Sequence, residues 1–546
     1  MAVQRTPFSH THSEMAVRMT HKGGIQQPAM ARLDHNPPVR VFIQLTPMPS
    51  LAANFAISAI AHPEKAALFW GDQSFLYQDF SRSAAGGATF LAKEFGIRPG
   101  DRVGLLVKNQ PEFVSVLFAI LALGAVAVPI NQFLKVPEIA YLASDSELKL
   151  LIADPILRET AEAAVQGLKD SSVLSLDRWP SPAPDAPLLN PDSVLVSEDA
   201  LALLVYTSGT TGHPKGAMLT HGNFLSNVES CRQVLQVVEF DRFVLMLPMF
   251  HSFMLTVCIF LPLLVGGSIV LIKSLHPPKA MLEEIITHQG TVLPAMAAIF
   301  RLLSQLPAEL HLPLRLCISG AGPLPAEILR GFQARFPQVP LIEGYGLTEA
   351  SPVVAVNPPA GRCVAGSIGP AIPDVEISIQ DESGTHLPDE TTGELCVRGR
   401  NIMLGYWKDP AKTAATLVSG WLRTGDVGFR RPDGYFVITD RAKDMLKPNG
   451  INVYPREIEE VIQQFRGIKE CAVVGEPDER RGERPVAFVG LDTGVTFSES
   501  ALLNWLKENL ADFKLPRRVI VLPSLPRNAT GKILKTELRA ILASGR

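Results

Sequence analysis

Short β-rich runs recur between helical stretches from about Ser50 to Asp440, and this alternation constrains the fold more than any other feature. The runs are "DRVGLLV" (101–107), "LKLLIAD" (148–154), "ALLVYTS" (202–208), "FVLMLPM" (243–249) and "LRLCISG" (314–320). Strands that alternate with helices predict a layered α/β body with mostly parallel sheets. A chain of 546 residues exceeds one ordinary core, so at least two domains are expected. Two uncharged runs, Phe113–Ile130 and Phe253–Ile272, have the length of a membrane span. Gly124 and Pro129 interrupt the first, and Pro262 with Gly266 and Gly267 interrupt the second. Each is therefore read as a buried helix, a turn and a strand.

Between Ser367 and Arg398 the chain turns to short strands and turns, which predicts a small β-subdomain on the body. Beyond it a compact α+β unit is expected, with "PREIEEVIQQF" (455–465) as its clearest helix: Pro455 suits a first turn, and Ile458, Val461, Ile462 and Phe465 share a face. The expected domains are a disordered or over-called N-terminus (1–47, with Met15, Met19, Met30 and Met48 as alternative starts), a large body (48–440) and a small mobile catalytic domain (441–546).

Lysine plus arginine nearly balance the acids, for a formal charge of −3, so there is no electrostatic footprint for nucleic acid. The six cysteines, at 231, 258, 317, 363, 396 and 471, show no paired spacing, which speaks against a zinc site or disulfide framework and suits a reducing, cytoplasmic setting. Peripheral contact with the inner face of a membrane and a homodimer stay open.

"YTSGTTGHPKGAML" (206–219) holds five hydroxyl side chains, three glycines and a lysine directly after an apolar run. It does not fit the Walker A frame. A glycine loop after a strand still offers backbone N–H groups and hydroxyls to phosphate oxygens, with Lys215 adding positive charge.

Downstream lie "SGAGPL" (319–324), "EGYGLTEASP" (343–352), "GWLRTGD" (420–426), "DRAKDMLKPNGINVYPREIEE" (440–460) and "PRNATGK" (526–532). In this order the motifs resemble the adenylate-forming superfamily of acyl-CoA ligases, luciferases and peptide-synthetase adenylation domains, over essentially Ser50 to Arg539. The resemblance implies a two-step enzyme. A carboxylate attacks the α-phosphate of ATP to give an acyl adenylate and pyrophosphate, and a thiol then displaces AMP.

By this resemblance Thr207, Ser208, Gly209, Thr210, Thr211, Gly212 and Lys215 would cradle the β- and γ-phosphates. Gly320, Ala321 and Gly322 would border adenine, Tyr345 between Gly344 and Gly346 would stack on it, and Asp426 with Arg441 would hold the ribose. Thr348 would meet the α-phosphate and Glu349 would help bind Mg²⁺, a hard cation suited to carboxylate and phosphate oxygens. Lys532 would serve adenylation and Lys447 the thioester step or the pantetheine channel, where Gly450 lets the chain approach closely. The implied pivot between the two poses is Lys443.

No acidic residue occurs from Leu245 to Ile272, so nothing in that apolar segment would hold a substrate ammonium. Met246, Met249, Met254 and Phe260 are expected to line an apolar acyl site, and His251 either gates it or is a core histidine. The favoured function is a medium- or long-chain fatty acid:CoA ligase using Mg-ATP. An aryl-CoA ligase and an acyl-carrier-protein ligase are the alternatives within the superfamily, and a non-catalytic nucleotide or lipid carrier is disfavoured.

Overall fold

The computed structural model describes residues 50–207, 214–307, 309–441, 444–448, 453–478, 482–528 and 531–544. The expected disordered segment 1–47, the loop residues Ser208 to Gly212, and Lys443 and Gly450 lie outside the described residues.

Two large sheets form the body. The eight-stranded sheet runs, in spatial order, Val353–Val356, Leu341–Gly346, Leu316–Ser319, Val292–Ala295, Arg242–Leu245, Ser268–Leu271, Ala66–Trp70 and Gln73–Leu76. Its interior pairs are parallel and both edge pairs antiparallel. The seven-stranded sheet runs Gly405–Tyr406, Lys215–Thr220, Leu201–Thr207, Val126–Pro129, Arg102–Leu106, Leu148–Ala153 and Ser172–Ser175. Here the first two pairs are antiparallel and the rest parallel. The predicted mostly parallel α/β body is thus present, with antiparallel pairs confined to sheet ends.

Both uncharged runs fold as expected. The first forms the helix Glu112–Ala122, turns through Gly124 at φ 68°, and enters the strand Val126–Pro129. A left-handed φ is a conformation glycine adopts without a Cβ penalty. The second forms helical turns over Ser252–Met254 and Leu261–Val265, with Gly266 at φ 85° before the strand Ser268–Leu271. Between those turns Leu255–Phe260 is a π-helix, a wider winding that the apolar run itself does not signal. Among the described residues no helix is long and apolar enough to cross a membrane.

Met249, Met254 and Phe260 are fully buried, and Phe260 packs edge-on against Phe118 and Phe224. They belong to the core rather than to an exposed lining. Burying such a side chain contributes roughly 1.5–3 kcal/mol.

The turn-rich segment supplies Val375–Gln380 and Gly393–Gly399 to a five-stranded antiparallel sheet, which Trp421–Arg430, Leu417–Val418 and Phe436–Arg441, beyond the expected segment, complete. After it, the strands Ile468–Asp478 and Gly482–Leu491 pair antiparallel, and Val519–Val521 joins in parallel. The helices Pro455–Ile462, Glu499–Asn509 and Lys535–Ala543 cover this small sheet, which carries apolar clusters of its own. The first helix ends at Ile462, three residues earlier than its apolar pattern suggests, while Phe465 still packs on that cluster.

Candidate active site

The phosphate-type loop joins two antiparallel strands, Leu201–Thr207 and Lys215–Thr220, and its ends Thr207 and Lys215 are register partners. Polar contacts brace the base of this hairpin. Tyr206 donates its hydroxyl to Asp145 Oδ2 at 2.5 Å, and Tyr141 donates to the Pro214 carbonyl at 3.2 Å. Lys215 Nζ lies 5.9 Å from the centre of the Tyr406 ring, which suits a cation–π contact.

Gly320, Ala321 and Gly322 follow the strand Leu316–Ser319. A Cβ on Gly320 would lie 2.9 Å from the Phe253 ring, so glycine is needed there for that aromatic contact, whereas Gly322 is open. Ala321 takes φ 62°, rare for a residue with a side chain.

The strand Leu341–Gly346 carries the next group of residues. A Cβ on Gly346 would come within 2.1 Å of the Pro352 carbonyl, so only glycine permits the return into Val353–Val356. Gly344 pairs with Val356, and Tyr345 donates its hydroxyl to Asp426 Oδ2 at 2.5 Å. Burial, then the Asp426 charge, holds the Tyr345 phenol well above its ordinary pKa.

Asp426 is 3% exposed and faces Arg441 across paired strands, with Nε to Oδ1 at 2.9 Å. The carboxylate raises the Arg441 pKa further, which fixes the guanidinium's charge. Its two oxygens thus meet a guanidinium and a phenol, leaving lone pairs for further donors.

Thr348 and Glu349 sit in the one-turn helix Thr348–Ala350. Thr348 Oγ1 lies 3.0 Å from Ser252 Oγ. Glu349 Oε1 accepts from the Tyr406 hydroxyl at 2.9 Å. Among the described residues no group of three or more His, Cys, Asp or Glu side chains is gathered to hold a metal. A cation at Glu349 would take its other ligands from phosphate and water, as Mg²⁺ commonly does, so the residues fit that ion.

His251 caps the turn Ser252–Met254, its Nδ1 accepting from Phe253 N at 3.3 Å. Burial pushes its pKa down to about 4, and the positive charge of Lys532 adds to the lowering. Lys532 therefore acts on the body of the protein although it belongs to the last motif. Its loop is closed by Lys532 N donating to Asn528 Oδ1 and Asn528 N to Lys532 O, both at 2.9 Å. Gly531, at φ 79°, rests against Met296, where a Cβ would lie 2.6 Å from Sδ.

Lys447 stands apart from this cluster. Its side chain is exposed, and its backbone N–H donates to Glu483 Oε2 at 3.0 Å within the small unit. The structure thus gathers Thr348, Glu349, Tyr345, Asp426 and Arg441 along adjoining strand ends, brings Lys532 to His251, and keeps Lys447 elsewhere.

The motifs do not point to Ser252, Tyr406 or Met296, and Glu343 opens one of them without a role assigned to it. Glu343 is 5% exposed, accepts from Leu324 N at 3.2 Å, and is pushed by burial to a pKa of about 7, with Arg456 pulling it back. Its sequence signals are its place at the head of "EGYGLTEASP" and a charge directly after the apolar pair Leu341 and Ile342.

The profile of the AMP-binding enzyme family matches residues 55–407, and that of the AMP-binding enzyme C-terminal domain matches 457–532. A feruloyl-CoA synthase of Amycolatopsis sp. is 37% identical over 485 residues, covering 87% of this chain and 96% of that one. A long-chain-fatty-acid–CoA ligase of Bacillus subtilis (strain 168) is 31% identical over 531 residues, covering 90% and 94%. The crystal structure of ATP-bound MatB from Rhodopseudomonas palustris superposes with a TM-score of 0.81 at 32% identity, covering 90% of this chain and 98% of that one. The chain belongs to the AMP-binding enzyme family of the adenylate-forming superfamily, and is an AMP-forming acid–thiol ligase.

Proposed function

We propose that the enzyme joins a medium- or long-chain fatty acid to coenzyme A. The carrying observation is the buried, wholly uncharged segment Leu255–Leu264, tied by Thr256 Oγ1 donating to Ser351 O at 2.7 Å, in a stretch with no acid from Leu245 to Ile272. An amino acid substrate would find no acid for its ammonium in this stretch, whereas an alkyl chain needs none. An aryl acid is the second reading, favoured by the 37% identity to a feruloyl-CoA synthase.

In the proposed first step a carboxylate oxygen bonds to the α-phosphorus of ATP, and the bond to the bridging oxygen breaks to release pyrophosphate. Two anions meet in this step, so cations must offset the developing charge. Lys532 does so at the acyl and α-phosphate oxygens, Thr348 orients the α-phosphate, and Lys215 with the loop from Thr207 holds the departing pyrophosphate. Mg²⁺ bound at Glu349 would add charge neutralisation. Asp426, Arg441 and Tyr345 orient the nucleoside. In the second step the thiol of coenzyme A loses its proton, its sulfur bonds to the acyl carbon, and the bond to AMP breaks.

In this proposal the small domain pivots at Lys443 between steps, exchanging Lys532 for Lys447 and Gly450. Support comes from the unequal situations of the two lysines, Lys532 acting on His251 and Lys447 held through its backbone to Glu483 within the small unit.

Acid-dependent pyrophosphate exchange over aliphatic and aryl acids, followed by product analysis with coenzyme A or a loaded carrier protein, tests the reading. Exchange with fatty acids and a CoA thioester is expected. Selective exchange with cinnamate-type acids would favour the second reading, and exchange without a CoA thioester would move the acceptor to a carrier protein.

A further inference from the structure

The strand Gly405–Tyr406 lies along the outer edge of the phosphate-loop hairpin, with Gly405 opposite Met218 and Tyr406 opposite Ala217. Its neighbours tie it down on both sides. Leu404 N donates to the Met218 carbonyl at 2.9 Å and Trp407 N to the Gly216 carbonyl at 2.8 Å. Met403 N donates to the backbone carbonyl of Glu349 itself, at 2.9 Å. Tyr406 N is held by Thr413 Oγ1, also at 2.9 Å.

The Tyr406 side chain turns inward and is 8% exposed. Its hydroxyl donates to Glu349 Oε1 at 2.9 Å, and its ring lies 5.9 Å from Lys215 Nζ. One buried side chain thus touches the acidic residue at one end of the triphosphate region and the lysine at the other. In that contact the hydroxyl is the donor and the carboxylate the acceptor. A phenol that only filled the core would need no partner of opposite character at each end.

We infer that Tyr406 is a positioning residue for the triphosphate: its hydroxyl fixes the orientation of the Glu349 carboxylate, and its ring sets where Lys215 stands. This rests on the reading of Glu349 and Lys215 as metal and phosphate ligands in an adenylating site. The hydrogen bond takes one lone pair of Oε1 and holds the carboxylate in one orientation, in which Glu349 would be presented to the cation. The two ends of the site are thereby spaced by a rigid ring instead of by two independent flexible side chains.

Two substitutions separate the two contacts. Tyr406→Phe removes the hydroxyl and keeps the ring, and Tyr406→Leu removes both. ATP binding is measured by calorimetry with Mg²⁺ and with EDTA, pyrophosphate exchange is measured against Mg²⁺ concentration, and thermal melts check folding. A hydrogen bond to a charged group is worth on the order of tenfold in an equilibrium constant or more. Tyr406→Phe is expected to raise the half-saturating Mg²⁺ by about that factor and to leave ATP affinity in EDTA unchanged. Tyr406→Leu is expected to weaken ATP in EDTA as well.

In a Glu349→Gln background the Phe substitution should have no further effect on Mg²⁺ dependence, which a merely structural role would not produce. Wild-type Mg²⁺ dependence in Tyr406→Phe, or equal losses with and without Mg²⁺, overturns the inference. The calorimetric arm needs no acid substrate. Absence of exchange with every acid in the wild type would therefore count against the ligase reading while leaving the Tyr406 result legible.

Discussion

Asp426 and Arg441 face each other on neighbouring strands, Oδ1 to Nε at 2.9 Å, while Tyr345 binds the other carboxylate oxygen. Asp426→Asn keeps the shape and removes the charge that holds both partners. The Arg441 side chain is 40% exposed, so solvent relieves the cation left behind and the fold should persist. The expected result is a rise in KM for ATP of about tenfold or more with an unshifted melt, since charged hydrogen bonds carry that weight. An unchanged KM would remove Asp426 from the nucleotide site.

Lys532→Ala should lower acid-dependent pyrophosphate exchange by about 10²–10³, the usual cost of deleting one charge-stabilising donor. Thioester formation from synthetic acyl adenylate should be largely spared. Lys532 is exposed, so stability should stay within about 0.5 kcal/mol of the parent. Equal loss of both half-reactions in a folded variant would contradict the proposed division between Lys532 and Lys447.

His221 and His251 are both pushed by burial to a pKa of about 4. An unfolded histidine binds its proton near pH 6.5, so between 6.5 and 4 the unfolded chain holds more protons. The stability from each neutral histidine is therefore full above pH 6.5 and lost as pH falls toward 4, by up to roughly 3 kcal/mol per group. His221→Asn, whose oxygen can still accept from Leu51 N, should flatten part of this acid limb in melts taken from pH 4 to 8. An identical slope in parent and variant would show that His221 does not set it.

Glu343 works in the opposite direction. Its folded pKa, pushed up to about 7, exceeds the unfolded value near 4.5, so its contribution is present below 4.5 and lost as pH rises through 7. Glu343→Gln retains an acceptor for Leu324 N without the buried charge. The variant should melt above the parent at pH 8, by an equivalent of roughly 2–3 kcal/mol, and match it near pH 4.5. A variant no more stable at pH 8 would mean that Arg456 already compensates the ionised carboxylate in full.

The layered body, the two interrupted apolar runs and the strand before the glycine loop were legible in the sequence because each depends on local periodicity and turn chemistry, whereas the returning strand Lys215–Thr220 was not. The motifs located Asp426, Arg441, Tyr345 and Thr348 as residues without revealing that Tyr345 and Arg441 bind opposite oxygens of one carboxylate. Tyr406 stands 57 residues from Glu349, and no pattern links them until two sheets meet. Met249, Met254 and Phe260 belong to a segment that is apolar on every side. Periodicity has no face to report in such a segment, so core and lining read alike until burial is known. Its π-helical winding is likewise a product of packing.

The contact of Gly531 with Met296 has a kinetic meaning. Lys532 belongs to a unit with its own apolar clusters and acts on His251 from a loop resting on a residue of the body. In the proposed first step, a cation delivered in this way has an effective concentration, set by the fraction of time the loop is seated, in addition to an intrinsic reactivity. Substitutions on either side of that small seat therefore scale the rate of the first step without touching a reacting atom. Enzymes with identical motifs can differ in turnover through this occupancy alone.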